Sequence, residues 1–149
     1  MRKQSLKIFL TFGLLAILAP LSAQAQSGNE QMAHIPFPFA VAGKTFPAGE
    51  YSVRRLNPSS DKAALAIRSA DSRVSAVILT TPVQAGRTQE SARLVFNRYG
   101  NLYYLAQVWA PADNTGLELP KSRSERALAR NSREPAPERT AIALSTRRR

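Results

Sequence analysis

The chain has 149 residues, of which 21 are Lys or Arg and 10 are Asp or Glu, so its formal net charge is +11. It contains one histidine and no cysteine, which excludes disulfide bonds, a thiolate nucleophile and a cysteine-ligated metal site. The single His34 cannot supply the two or three imidazoles of most catalytic zinc sites. The length predicts one domain, and the apolar fraction of 44% is ordinary for a folded protein.

The first residues predict a secretory signal peptide. Met1–Lys7 carries three basic residues and no acid, and the apolar run Ile8–Leu21 has 14 residues, fewer than the roughly 20 of a membrane-spanning helix. Small residues then form a cleavage site, so we expect residues 1–25 to be removed between Ala25 and Gln26. The sequence therefore predicts a secreted or periplasmic protein without a transmembrane span after cleavage. The alternative is an uncleaved membrane anchor or a buried core helix.

Most of the remaining chain is predicted to be a β-domain. Residues 26–33 are polar and predict a flexible leader. From residue 34 to residue 120, short apolar runs alternate with turn residues at a spacing typical of all-β folds. We expect a small antiparallel β-sandwich or barrel of about six strands. The first of these runs, at residues 34–41, contains two prolines, which favours an edge strand.

The strongest pattern is a hairpin between Ala92 and Ala110 with a turn at Gly100-Asn101. We expect Phe96 to lie opposite Leu105, and Arg98 opposite Tyr103. One face of the hairpin is predicted to hold Leu94, Phe96, Tyr103, Leu105 and Trp109, and the other Val95, Tyr99, Leu102, Tyr104 and Val108. Because both faces are apolar or aromatic, the hairpin is predicted to be central and covered on both sides.

Four hairpin side chains are candidates for a binding surface, namely Arg98, Tyr103, Tyr104 and Trp109. Aromatic rings stack on sugar rings or bases, and a guanidinium group adds a cation–π contact. The alternative is that these aromatics belong to the core, as aromatics at strand spacing in small domains usually do.

A basic segment follows the β-domain. Ser122 and Glu125 fit a capping box, so residues 121–133 are predicted to contain a short helix from about Arg123 to Asn131. Four arginines spaced three, four and three residues apart would share one helical face: Arg123, Arg126, Arg130 and Arg133. Residues 134–149, which end in Arg147, Arg148 and Arg149, are predicted to be a disordered basic tail. Residues 121–149 carry nine basic and three acidic side chains.

These arginines are the candidate anion-binding residues. A basic face can bind a polyanion by releasing counterions, and the expected partner is an anionic polysaccharide, lipopolysaccharide or another part of the envelope surface. The alternative is a solvated tail that only maintains solubility. No aromatic residue is interleaved with the arginines, so specific nucleic-acid binding is not expected. The sequence indicates no cofactor and no metal, and it does not identify a protein partner.

The sequence contains no G-x-S-x-G, H-E-x-x-H or P-loop motif and no dinucleotide-binding glycine pattern. We therefore expect a non-catalytic binding or structural protein of the cell envelope. One alternative is a carbohydrate- or protein-binding β-module that uses the hairpin aromatics. The other is a hydrolase, which would depend on His34 or on a carboxylate pair formed by Asp113 and Glu118.

Three segments carry a resemblance to a known family: Pro47–Val53, Leu94–Leu105 and Gly116–Arg126. Together they resemble small secreted bacterial proteins of unknown function. The resemblance extends from about Ile35 to Arg130 and implies secretion and a self-contained domain. It brings no activity, cofactor or catalytic residue.

Overall fold

The computed structural model describes residues 30–57, 63–131 and 136–146. The predicted signal peptide, Arg133 and Arg147–Arg149 lie outside the described residues. In chain order the described strands are β1 (Glu30–Ile35), β2 (Phe39–Val41), β3 (Lys44–Phe46), β4 (Gly49–Arg55), β5 (Ala64–Ser69), β6 (Ser75–Leu79), β7 (Thr81–Gln84), β8 (Arg93–Tyr99), β9 (Leu102–Trp109), β10 (Thr115–Glu118), β11 (Glu138–Ala143) and β12 (Ser145–Thr146). One helix, α1 (Arg123–Asn131), lies between β10 and β11.

The strands form two sheets. The first sheet is antiparallel and has the order β12-β1-β4-β5-β6. The second has the order β11-β8-β9-β10-β7, with β2 added to β9 in parallel and β3 paired with β2. The all-β class with a short helix is confirmed, whereas the expectation of about six strands was too low. The choice between a sandwich and a barrel stays a prediction.

The chain crosses from the first sheet to the second at Pro36–Pro38. Proline has no backbone N–H to donate to a strand ladder, so β1 ends at Ile35 and pairing resumes in β2. The predicted edge strand over 34–41 is therefore two strands in different sheets. Between the prolines, the Phe37 ring stacks on Tyr103 with the ring centroids 3.9 Å apart.

Both sheets contribute to one apolar core. Its largest fully buried side chains come from six of the strands: Ile35, Phe39, Val41, Phe46, Tyr51, Leu65, Ile67, Leu94 and Phe96. Burying an aliphatic or aromatic side chain of this size stabilises the folded state by about 1.5–3 kcal/mol. These positions therefore supply a large part of the hydrophobic stabilisation of the fold. The Tyr51 hydroxyl donates a hydrogen bond to the Pro47 carbonyl, which ties the start of β4 to the preceding turn.

Strands β8 and β9 form the predicted hairpin. Tyr99 pairs with Leu102, so the loop is Gly100-Asn101, and Gly100 has a φ of 60°, as the first central residue of a type II′ turn requires. The two predicted cross-strand pairs, Phe96 with Leu105 and Arg98 with Tyr103, are confirmed.

The two faces of the hairpin differ from the prediction at its open end. Phe96 pairs with Leu105 but Val95 pairs with Gln107, so β9 contains one extra residue in a β-bulge. An extra residue exchanges the faces of all the residues beyond it. Val108 consequently joins the core cluster, and Trp109 lies on the opposite face, which reverses their predicted positions.

The C-terminal segment is part of the fold. The predicted disorder is wrong for residues 138–146, because β11 pairs with β8 from Glu138 to Ala143 and β12 pairs with β1. Ile142 and Leu144 pack against the core. The predicted flexible leader is also wrong at its end, since β1 begins at Glu30. The segment after α1 thus pairs with both sheets.

Candidate functional site

Helix α1 is attached to the second sheet, on the face opposite the core, by a buried polar contact. The Glu125 Oε1 atom accepts a hydrogen bond from Asn97 Nδ2 at 2.8 Å, and these side chains are 4% and 5% exposed. The predicted capping box is half correct. The Glu125 N–H donates to Ser122 Oγ at 3.1 Å, but the Glu125 carboxylate turns towards β8 instead of back to Ser122.

The opposite side of α1 carries the predicted basic residues. Arg123, Arg126 and Arg130 are exposed, and their spacing places them on one side of the helix. We call these three residues the arginine face. Within the described residues none of them forms an ion pair, although Arg126 donates to the Lys121 carbonyl at 3.0 Å. The described part of the chain thus brings three of the predicted anion-binding residues together.

The four hairpin candidates do not form one surface. Arg98 lies over the Tyr103 ring at 5.6 Å from its centroid, in the predicted cation–π geometry. Tyr103 is covered on its other side by Phe37. Tyr104 and Trp109 lie on the opposite face of the sheet and are 7% and 5% exposed.

A cavity of about 580 Å³ lies on this opposite face, next to Trp109. Four lining residues are neighbours across β11, β8, β9 and β10, and they are Ala141, Val95, Gln107 and Glu118. The next cross-strand pair, Arg93 and Trp109, also lines the cavity. The end of β7 and the loop after it add the remaining lining residues: Val83, Gln84, Ala85, Gly86, Arg87 and Gln89. We call this space the outer cavity.

Buried polar groups line the outer cavity. Gln89 and Gln107 are 5% and 6% exposed. The Trp109 indole donates from Nε1 to Gln107 Oε1 at 3.2 Å, and Gln107 Nε2 donates to Glu118 Oε1 at 3.4 Å. The Trp109 ring lies directly against Gly116, where a Cβ atom would be 2.7 Å from the ring. The indole and the amide are therefore held in fixed positions.

The outer cavity carries a positive charge. Arg87, Arg93 and Arg139 line it, and Glu118 is the acid among its lining residues. The Nε atom of Arg93 is buried and has no hydrogen-bond partner among the described residues.

Two residues that line the outer cavity, Trp109 and Glu118, are candidates from the sequence, each for a different site. The lining of the cavity comes from β7 to β11 and from the loop after β7, so no local motif marks it. The alternation of Ile142 and Leu144 with small residues was the available signal for β11, the strand that carries Arg139 and Ala141.

The residues that a hydrolase would need are not gathered into one site. His34 Nδ1 lies 2.7 Å from Glu50 Oε1 in a cross-strand pair, but the two side chains are 69% and 53% exposed. Asp113 accepts from the Thr115 N–H at 2.8 Å within a turn, whereas Glu118 lies about 10 Å further along β10. In the described ranges no group of three His, Asp or Glu side chains could hold a metal ion.

Comparison of the chain with models of known families, with curated proteins and with solved structures found no match. The resemblance carried by its three motifs therefore stays a prediction. The helix that the structure describes is too short and too polar to cross a membrane.

Proposed function

We propose that the protein is a non-catalytic binding protein of the cell envelope, secreted or periplasmic, that contacts an anionic partner through the arginine face. One observation carries this proposal. Helix α1 exposes three arginines on one side, while its own acid, Glu125, is buried against Asn97 on the other. The predicted signal peptide at residues 1–25 supports the location.

The geometry suits a phosphate-bearing surface. A guanidinium group is always charged at neutral pH and forms paired hydrogen bonds with phosphate oxygens. Each basic residue near an anionic lipid surface contributes about 1 kcal/mol. The arginine face would then contribute about 3 kcal/mol, which strengthens binding on the order of a hundredfold.

Arginines on an oriented helix are better placed to bind an anionic surface than arginines on a disordered tail. The Asn97–Glu125 contact orients α1, so the three side chains face the same way before binding. Less conformational freedom is lost on contact than with a disordered tail, and affinity rises accordingly.

Co-sedimentation with lipid vesicles tests the proposal. We expect the protein to bind vesicles that contain phosphatidylglycerol at low salt and to be released at high salt, because salt screens exposed charges. Vesicles of phosphatidylcholine alone should not bind. Lipopolysaccharide, the second phosphate-bearing source, should compete for the same site.

The variant R123Q/R126Q/R130Q should bind on the order of a hundredfold more weakly. A matched control, K44Q/R54Q/R68Q, removes the same charge from exposed positions on β3, β4 and β5 and should retain most of the binding. If both variants lost binding equally, net charge alone would explain vesicle binding, and this result would contradict a role for the arginine face.

A further inference from the structure

We propose that the outer cavity binds a small acidic saccharide, a sugar ring or short oligosaccharide that carries a carboxylate. This site is separate from the arginine face, because no residue of α1 lines it. Neither proposal depends on the other.

The charge of the cavity selects an anion. Three arginines and one glutamate line it, and within the described residues none of the three arginines forms an ion pair. Arg93 pairs across the strands with Trp109, and Arg139 occupies an exposed position of β11. The planar guanidinium group matches a carboxylate with two parallel hydrogen bonds.

The remaining lining suits a hydroxylated ring. Gln89 and Gln107 are buried amides that already bond to protein groups. An amide has two N–H donors and an oxygen that accepts twice, so each amide keeps capacity for a sugar hydroxyl. Val95 and Trp109 add buried apolar surface beside these amides. A lining of apolar groups with a few fixed polar ones is the usual composition of a small-molecule site.

The size and rigidity of the cavity agree with this ligand class. Its volume of about 580 Å³ falls within the range of about 300–1,000 Å³ found for ligand pockets. Gly116 and Gln107 hold the indole of Trp109 in place, so the floor needs little rearrangement on binding. Preformed sites lose less entropy when they are filled.

Calorimetry and Trp109 fluorescence test the proposal, since Trp109 is the single tryptophan of the chain. The probes are digalacturonate, a neutral galactose disaccharide and inorganic phosphate. We expect digalacturonate to bind and to change the tryptophan emission. The neutral disaccharide should bind at least about tenfold more weakly, which corresponds to the loss of one charge-assisted contact.

Two variants place the ligand. Ala141→Phe fills the floor from an exposed strand position and should abolish digalacturonate binding. Ser75→Phe, at an exposed position of β6 in the first sheet, should leave binding intact. Arg139→Gln should weaken binding about tenfold, whereas Arg68→Gln, on the first sheet, should not change it.

Three results would overturn the proposal. The first is no heat and no emission change with digalacturonate for the wild-type protein. The second is equal binding by Ala141→Phe and wild type, which would place the ligand elsewhere. The third is inorganic phosphate or the neutral disaccharide binding as tightly as digalacturonate, which would make the site a general anion or sugar site.

Discussion

Replacement of Gly116 by alanine tests the packing that shapes the outer cavity. Gly116 lies in β10 against the indole of Trp109. A Cβ atom at this position would lie 2.7 Å from Cδ2 and Cε3 of the ring and 2.8 Å from Cε2. Carbon atoms pack best at about 3.5–4.0 Å, so three atom pairs would overlap at once.

The loss of stability caused by Gly116→Ala depends on how far the neighbouring side chains can move. The Trp109 side chain is 5% exposed and its indole donates to Gln107, so moving the ring away from the new methyl group would disturb this hydrogen bond. Overpacking a fixed site of this kind costs about 1–3 kcal/mol. We expect Gly116→Ala to lower the free energy of unfolding by this amount.

Urea unfolding followed by tryptophan emission measures the effect. The matched control is Gly86→Ala, which also adds one methyl group to the cavity lining but meets no atom within 4 Å. We expect this control to stay within about 1 kcal/mol of the wild type. A Gly116→Ala protein with wild-type stability and an unchanged emission spectrum would refute the placement of Trp109 against β10.

Three further predictions concern the helix, the C-terminal strand and a tyrosine. Glu125→Ala should lower the unfolding free energy by about 1–3 kcal/mol, because it leaves the buried amide of Asn97 unpaired. A double-mutant cycle with Asn97→Ala, measured by urea unfolding, should show a coupling energy above about 0.5 kcal/mol. Additive effects of the two substitutions would contradict the contact. Ile142→Asp should destabilise the protein by more than about 2 kcal/mol in thermal or urea unfolding. Ala143→Asp, at an exposed position of the same strand, should leave the free energy of unfolding almost unchanged. Equal effects of the two substitutions would argue against the packing of β11 on the core. Burial, and then the charge of Glu125, raises the pKa of Tyr99 above 10.0, so the folded state holds this proton more tightly than the unfolded state. Stability should therefore fall as the pH rises above about 10, and Tyr99→Phe should reduce this loss; an unchanged pH profile in the variant would contradict the shift.

Local patterns in the sequence were sufficient for the elements with strong signals at their ends. Gly100-Asn101 predicted the hairpin turn because a glycine accepts the positive φ that the turn needs. Ser122 and Glu125 predicted where α1 begins, since a hydroxyl three residues before a free N–H can accept from it. The grouping of Arg123, Arg126 and Arg130 on one side of α1 followed from helical spacing alone.

Features that depend on non-local pairing were beyond the sequence patterns. The bulge in β9 has no compositional mark, yet it moves Trp109 from the face predicted for Leu94 and Phe96 to the face that lines the outer cavity. Strand β11 carries one large apolar residue, Ile142, among charged and small ones, and this composition predicts disorder. The strand is ordered because it pairs with β8. The burial of Glu125 likewise depends on Asn97, which lies 28 residues earlier in the chain.

These corrections change how the arginine face must be tested. Removal of the whole segment after Pro120 would also remove β11 and β12, which pair with β8 and β1. Loss of binding in such a truncation would report unfolding as readily as loss of contact. Substitution of exposed arginines leaves both sheets intact and separates these effects.

The most direct test of the central claim locates the contact on the wild-type protein. The side-chain Nε–Hε signals of arginine are followed in proton–nitrogen correlation spectra while short-chain phosphatidylglycerol is added. We expect the signals of Arg123, Arg126 and Arg130 to shift together, and those of Arg54 and Arg68 on the first sheet to stay in place. Short-chain phosphatidylcholine should shift none of them. Shifts of equal size at all five arginines, or no shift on α1, would contradict the claim that the arginine face makes the contact.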